Sequence, residues 1–538
     1  MALLALVACL VWACSGLSAK TGGVPNPDRQ QLFIGDSIAI ASTQYGKVRG
    51  YILRDVYTFL GVPYGASTAG ASRFKAPLPP ERWDGVRPTI YYGSVSPQNM
   101  ENRYSNQFGS FRDHWNYTDA GEDCLCLNVW TPGLDSKERP VLVWFHGGGF
   151  TSGNGIEQDG YNGENLSRYG DIVFVSVNHR LGPVGFSDFS AVDPEFADSG
   201  NAGTLDMVLA LQWVHDNISN FGGNPSNVTI MGQSGGGAKV CTLLAMSETK
   251  DLISKAVGLS GNSVGAIQSR VSAEIGKRIW ELGGRDMKKL QEMPWEEYLA
   301  LANKVGMEYV ATHEGVSRRG CFGPVADGFH VPMGRFYSSS TAPSSKVPLL
   351  LCSTTSEFSP STNDAALEEI DREGAIEYIS KMMGLKNAEE AFDAFAAIFP
   401  DKKPIDAIGL MMGYRAAVIE TANAKCVQDA PVYVAMFGWN SPLFDGRMRA
   451  PHCSDICFWF LNTDVMLTHT GGGAAPRAMS VKMADALLRF MRTGDPNGSG
   501  LPEWPVYDPQ KQTTMFLGEV CKAYENLDTD ALATLGRQ

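Results

Sequence analysis

The sequence predicts an α/β fold, a central and mostly parallel sheet with helices on both faces. Three observations predict it. Apolar runs of strand length alternate with helical stretches in the first half of the chain. The alternation pauses over 264–346 and resumes at Val347, as an insertion into one sheet requires. Between them, residues 228–246 read as a buried strand, a sharp glycine turn and a helix. With 538 residues, 44% of them apolar, the chain can bury one large core.

The N-terminus comes first. An apolar run from Ala2 to Ala13, then Ser15, Gly16, Ser18 and Ala19, reads as a signal peptide over 1–19. It lacks a basic n-region. Residues 20–36 read as a linker, and 37–538 as a single domain. Leu6-Val7-Ala8-Cys9 is similar to a bacterial lipobox, but the apolar run before it is short. The expectation is a secreted or periplasmic product, soluble rather than anchored through Cys9. No later run reaches the ~18 apolar residues of a membrane span. The net charge of −13 disfavours nucleic acid and anionic membranes as partners. Removing Cys9 and Cys14 from eleven cysteines leaves an odd number, and no Cys/His spacing suits zinc. No metal or cofactor is expected.

Residues 37–43, 45–53 and 56–63 read as strands of an antiparallel margin. Residues 91–116 form a long loop of the kind that lines a site. Strand 140–145 runs into His146-Gly147-Gly148-Gly149-Phe150, where consecutive glycines can aim backbone N–H groups at one spot. Strand 171–178, helix 201–221 and strand 256–260 continue the alternation. Helical segments at 272–282 and 295–305 belong to an excursion over 264–346. Strand 347–352 resumes the sheet. Helical stretches over 365–399 and 415–424 make a second excursion, near 360–425. Met382 and Met383 there read as core packing. A strand at 432–437, an amphipathic helix at 480–491 and a closing segment from Glu503 complete the chain.

Gly232-Gln233-Ser234-Gly235-Gly236 is the chemical centre. A serine on a strand-to-helix turn, flanked by residues without bulk, is a nucleophile elbow. Its helix N-terminus favours a developing oxyanion. A serine hydroxyl needs a base, and the base needs an orienting carboxylate. In elbow enzymes these follow in the order Ser, acid, His. Of eight histidines, His114, His146, His179 and His215 precede Ser234. His313 lies in the helical excursion, and no acid-bearing strand loop precedes His330. His452 and His469 remain. His452 leads from a loop into an apolar segment and is preferred; His469 sits among Thr and Gly and reads as solvated. The acid should follow strand 347–352. Glu357 is the choice, and Asp364 is its local competitor.

These segments together resemble the type-B carboxylesterase and cholinesterase family of α/β-hydrolases, in its bacterial para-nitrobenzyl-esterase-like branch. The resemblance runs from about Ile38 to Pro505. It includes Arg73-Phe74, Pro97-Gln98, the run from Glu122-Asp123-Cys124 to Trp130, Val177-Asn178-His179-Arg180, and Phe322-x-Pro324-Val325-x-Asp327-Gly328. It implies Ser234 as the acyl-forming nucleophile, His452 as general base and acid, and Glu357 as the orienting acid. It further implies an oxyanion hole from the N–H groups of Gly148, Gly149 and Gly235, and a supporting role for Asp455. A family disulfide to the position of Cys124 is implied to be lost, because Ser96 stands where its partner cysteine would be. Gln233 stands where cholinesterases carry Glu, which disfavours choline esters. The expected function is a serine carboxylesterase acting on a small-molecule ester. The alternatives are a non-catalytic adhesion relative and a thioesterase or amidase on the same residues. Source, substrate and oligomeric state are not legible, and the sequons at Asn116, Asn165, Asn217, Asn227 and Asn497 matter only in a secreting eukaryote.

Overall fold

A computed structural model of the chain describes residues 30–99, 111, 119–317, 320–339 and 342–536. The signal peptide, most of the linker, much of loop 91–116 and Asn116 lie outside the described residues.

The centre is a 12-stranded sheet. Its strands in chain order are β1 (Leu32–Phe33), β2 (Tyr51–Leu53), β3 (Val56–Pro63), β4 (Cys126–Thr131), β5 (Arg139–Phe145), β6 (Val173–Val177), β7 (Gly223–Gln233), β8 (Lys255–Leu259), β9 (Leu349–Thr354), β10 (Val432–Phe437), β11 (Thr514–Leu517) and β12 (Lys522–Tyr524). Their spatial order is β1-β2-β3-β4-β6-β5-β7-β8-β9-β10-β11-β12. From β6 to β11 every neighbouring pair is parallel, while β1 to β4 and the β11–β12 pair are antiparallel.

The period of two along the strands divides the core. Val141, Val143 and Phe145 face one apolar cluster, with Leu349, Leu351, Val432, Val434 and Met436. Leu142 and Trp144 face the other, with Leu350, Tyr433, Ala435 and Phe437. Helices Ala202–Asn217 and Gly235–Ala245 cover the first face, and helix Ala474–Thr493 covers the second. Both faces of these strands are buried, which is why they read as unbroken apolar runs.

Several sequence expectations are corrected. Leu32–Phe33, inside the stretch read as linker, forms the edge strand β1 against β2. Its side chains are exposed and leave no burial pattern to read. The strand expected at 45–53 is two strands on different sheets, Lys47–Arg49 and β2. The break falls at Gly50, where a Cβ would stand 2.1 Å from the Thr58 carbonyl oxygen. The helical stretch 365–399 divides into Ala365–Glu369, Arg372–Met383 and Ala388–Ala396. Met383 packs on the core, but Met382 is exposed. Asn217 is fully buried, so that sequon is closed to a glycan.

The first excursion supplies a third apolar cluster. Helices Ser269–Leu282 and Trp295–Thr312 place Ile275, Tyr298 and Leu299 against Phe74, Phe186 and Phe189. Beneath it lies a fully buried ion pair. Arg180 donates to both Asp206 oxygens, at 2.8 and 2.6 Å, and the Arg180 backbone N–H adds a third bond to that carboxylate at 2.9 Å. Removing one member of such a pair leaves an uncompensated buried charge. Asp206→Ala is expected to lose about 3–5 kcal/mol, read as a lower midpoint in chemical denaturation. A midpoint matching the parent would show that water or another group solvates Arg180.

Candidate active site

The predicted site residues lie where parallel strands end. His146 to Gly149 follow β5, Ser234 follows β7, Glu357 follows β9, and His452 lies in the loop after β10. In space β5, β7, β8, β9 and β10 are consecutive neighbours. Loops at the carboxyl ends of neighbouring parallel strands converge on one crevice, the usual ligand position in open α/β sheets.

The elbow is strained and tightly packed. Ser234 has φ 57° and ψ −124°, outside the ordinary regions for a residue with a side chain. Its N–H extends the sheet ladder by donating to the Leu259 carbonyl at 2.8 Å. The glycines around it are required by contact. A Cβ on Gly236 would stand 2.1 Å from the Phe145 carbonyl oxygen, and one on Gly235 would stand 2.4 Å from the Gly149 nitrogen. The helix that follows Ser234 is thereby pressed against the end of β5 and the glycine loop.

The glycine loop turns at Gly148 and Gly149, with φ of 79° and 64°. The Gly148 carbonyl accepts from Ser152 N–H at 3.0 Å, and the Gly147 carbonyl lies 2.9 Å from His146 Nδ1. In a trans peptide the next N–H points opposite to its carbonyl. The N–H groups of Gly148 and Gly149 are therefore aimed away from these two anchors. Gly235 is the first residue of its helix, so its N–H has no intrahelical acceptor. Gln98 holds the far end of the loop, accepting from Gly153 N–H at 2.8 Å and donating to its carbonyl at 3.0 Å.

Glu357 and His452 are brought together. His452 Nδ1 lies 2.5 Å from Glu357 Oε2, and His452 N–H donates to the Glu357 carbonyl at 3.0 Å. The other carboxylate oxygen accepts from Thr354 N–H at 2.9 Å. Phe358 and Tyr414 flank the imidazole, with ring centroids 4.9 and 5.4 Å away. Burial opposes charge on His452, while Cys453 and the Glu357 carboxylate favour it. The balance holds the imidazole well above its ordinary range. Asp455 is fully buried, and burial together with Glu357 pushes its carboxyl up to about 7. Its Oδ2 accepts from Trp459 Nε1 at 3.2 Å.

One contact departs from expectation. Among the described residues no hydrogen bond joins the Ser234 hydroxyl to His452. Instead Gln233 Nε2 lies 3.3 Å from both ring nitrogens, and Cys453 Sγ donates to Gln233 Oε1 at 3.1 Å. Catalytic hydrogen bonds in empty sites are often long and tighten when substrate binds.

The competitors are placed elsewhere. Asp364 is exposed and caps Ala365–Glu369, accepting from Ala366 N–H at 3.1 Å. His469, expected in a solvated loop, is buried in the short helix Leu467–Thr470. Its polar neighbours carried no sign of that burial. Ser96 is buried, and its Oγ accepts from Leu181 N–H at 3.0 Å. Cys124 is buried as a thiol.

Lys239 was not singled out by the sequence. It lies in the elbow helix with 0% exposure, and its Nζ donates to the His146 carbonyl at 2.8 Å. Burial pulls its ammonium down to about 7, partly opposed by Glu157. The available signal was a lone lysine, four residues after Gly235, in a helix otherwise small and apolar.

A cavity of about 310 Å³ opens beside the glycine loop. Thr151 and Ser152 line one side, and Leu299, Met307 and Phe322 of the first excursion line another.

A serine on an elbow, a glycine loop against it and a carboxylate-bound histidine on an α/β sheet define the α/β-hydrolase class. The chain belongs to the carboxylesterase family, whose family model matches residues 37–534. It is 32% identical over 489 residues to the para-nitrobenzyl esterase of Bacillus subtilis, covering 89% of this chain and 94% of that protein. It is 31% identical to the phenmedipham hydrolase of Pseudarthrobacter oxydans, over 89% of this chain and 95% of the relative. Among solved structures, an esterase from Clostridium hathewayi that hydrolyses aliphatic aromatic polyesters superposes with a TM-score of 0.79. The two are 32% identical, over 94% of this chain and 99% of that one. The protein is a carboxylic ester hydrolase of this family.

Proposed function

We propose that Ser234, His452 and Glu357 carry out ester hydrolysis through an acyl-enzyme. The observation that supports this most directly is the His452 Nδ1–Glu357 Oε2 contact beside the elbow. With Nδ1 held by the carboxylate, Nε2 is the nitrogen left to take a proton. Ser234 Oγ attacks the ester carbonyl carbon as His452 Nε2 accepts its proton. The carbonyl oxygen becomes an oxyanion that accepts hydrogen bonds from the N–H groups of Gly148, Gly149 and Gly235. Each such donor lowers the barrier by roughly 3 kcal/mol. Collapse expels the alcohol, which takes the proton from His452. Water, deprotonated by the same nitrogen, then attacks the acyl carbon; the bond to Ser234 Oγ breaks, Oγ takes the proton back from His452, and the acid leaves.

The test is hydrolysis of a short-chain p-nitrophenyl ester, with labelling by a fluorophosphonate. Loss of both in a folded Ser234→Ala variant supports the assignment. Labelling at another serine removes it. Matched thioester and amide substrates separate the remaining readings of the same residues.

The pH dependence follows from His452. Its base form exists only above its pKa, and that pKa is raised. kcat/KM is therefore expected to rise with pH to a plateau, with a midpoint above the ~6.5 of an unperturbed histidine. A rate flat down to about pH 4 would remove His452 from the mechanism.

The cavity beside the glycine loop and the relatives' substrates, para-nitrobenzyl esters and aliphatic aromatic polyesters, favour esters with an aromatic portion. We read 37–538 as the single catalytic domain. Residues 1–19, as a signal peptide, support a secreted or periplasmic location. No helix of the described residues is long and apolar enough to cross a membrane.

A further inference from the structure

We propose that Lys239 is a positioning residue for the oxyanion hole: its buried side-chain nitrogen holds the His146 and Gly147 carbonyls so that the Gly148 N–H faces the reacting oxygen. The inference rests on the mechanism assigned above to Ser234.

Lysine is almost never fully buried unless its charge is met. Lys239 has 0% exposure, and what meets it is the glycine loop. Nζ donates to the His146 carbonyl at 2.8 Å, lies 3.5 Å from the Gly147 carbonyl, and sits 5.8 Å from the Phe150 ring centroid. The segment from His146 to Phe150 thus wraps one cation. The histidine pair beneath it, His146 stacked on His179 at 5.1 Å, is kept neutral by burial and by the same cation. Neutral His146 can then place Nδ1 against the Gly147 carbonyl as a donor.

The geometry turns these anchors into aim. A carbonyl pulled toward Lys239 turns the N–H of the next residue the other way. Holding the Gly147 carbonyl orients Gly148 N–H, and holding the His146 carbonyl fixes the peptide before it. Glycines at φ 79° and 64° have little stiffness of their own, so the loop needs such anchors. Lys239 is also four residues after Gly235, on the same helix face. One helix therefore supplies a candidate donor, the Gly235 N–H, and through Lys239 holds the Gly147 carbonyl that orients a second, the Gly148 N–H. Their mutual placement does not depend on a flexible connection.

The test uses the full chain with Lys239→Met, which keeps length and loses the donor, and Lys239→Gln, which keeps a donor and loses the charge. Three measurements are made: kcat and KM for a short-chain p-nitrophenyl ester, affinity for a trifluoromethyl ketone that forms a tetrahedral adduct, and affinity for the product acid. The expected result for Lys239→Met is a loss of about 30- to 300-fold in kcat. Ketone affinity falls in parallel, KM and acid affinity stay within about threefold, and Lys239→Gln recovers part of the loss. Two results overturn the proposal. One is a folded Lys239→Met variant with kcat within about threefold of the parent. The other is equal loss of ketone and acid affinity with no recovery in Lys239→Gln, the mark of a general packing role. If Lys239→Met does not fold, the same comparison on Lys239→Gln decides. Fluorophosphonate labelling of Ser234 in the parent keeps the outcomes apart. Without labelling the assignment of Ser234 fails; with labelling and an unaffected variant, only the role of Lys239 fails.

Discussion

Ser234→Ala is expected to lower turnover of a p-nitrophenyl ester by about five to six orders of magnitude. The substitution removes one oxygen and little else. Alanine keeps the Cβ, so it occupies the same position at φ 57° and meets the same neighbours. The Ser234 backbone N–H to Leu259 is untouched, and the circular dichroism spectrum should match that of the parent. The residual rate comes from the oxyanion donors and from binding, which still act on a water attack. The loss belongs in kcat, with KM little changed, because the bond to Oγ is made only after binding. A variant keeping more than about a tenth of parental kcat, at equal purity, would sink the nucleophile assignment.

Glu357→Gln is expected to cost about 10⁴ in kcat while leaving the fold intact. The size of the loss follows from Thr354. Its N–H donates to Oε1, so a glutamine at 357 would keep its carbonyl oxygen there. The amide NH₂ would then face His452 Nδ1, where Oε2 now sits. A donor opposite Nδ1 makes that nitrogen the acceptor and puts the ring proton on Nε2, the nitrogen that must take the serine proton. The variant should recover at high pH only weakly, because the fault is in tautomer and not in charge. A kcat within tenfold of the parent would mean that another carboxyl orients the ring, and buried Asp455 would be the first to substitute.

The parts legible in the sequence are those where chemistry leaves few choices of residue. Glycines at 232, 235 and 236 cannot be replaced without meeting backbone atoms, so the elbow announces itself. His452 and Glu357 followed from chain order and strand placement, which reflect how a parallel sheet presents its loop ends. The less legible parts depend on distant contacts. Gly50 divides the stretch 45–53 between two sheets because Thr58 of the next strand is close, a fact absent from the stretch itself. His469 is buried by surroundings that its Thr and Gly neighbours do not announce. Lys239 is buried by the glycine loop closing over it, a contact its neighbours in the chain do not announce. The Gln233 amide beside His452 had a visible residue but no visible contact.

The two bonds from His452 to Glu357, one from the backbone and one from the ring, join the loops after β9 and β10 into one body. Length changes in either loop beyond these residues can be absorbed without separating acid from base. The first excursion packs its helices on Phe74, Phe186 and Phe189, and Phe150 of the glycine loop packs against the same cluster. Leu299, Met307 and Phe322 line a cavity that none of Ser234, Glu357 and His452 lines, so they can be changed without touching the residues that hold acid and histidine together.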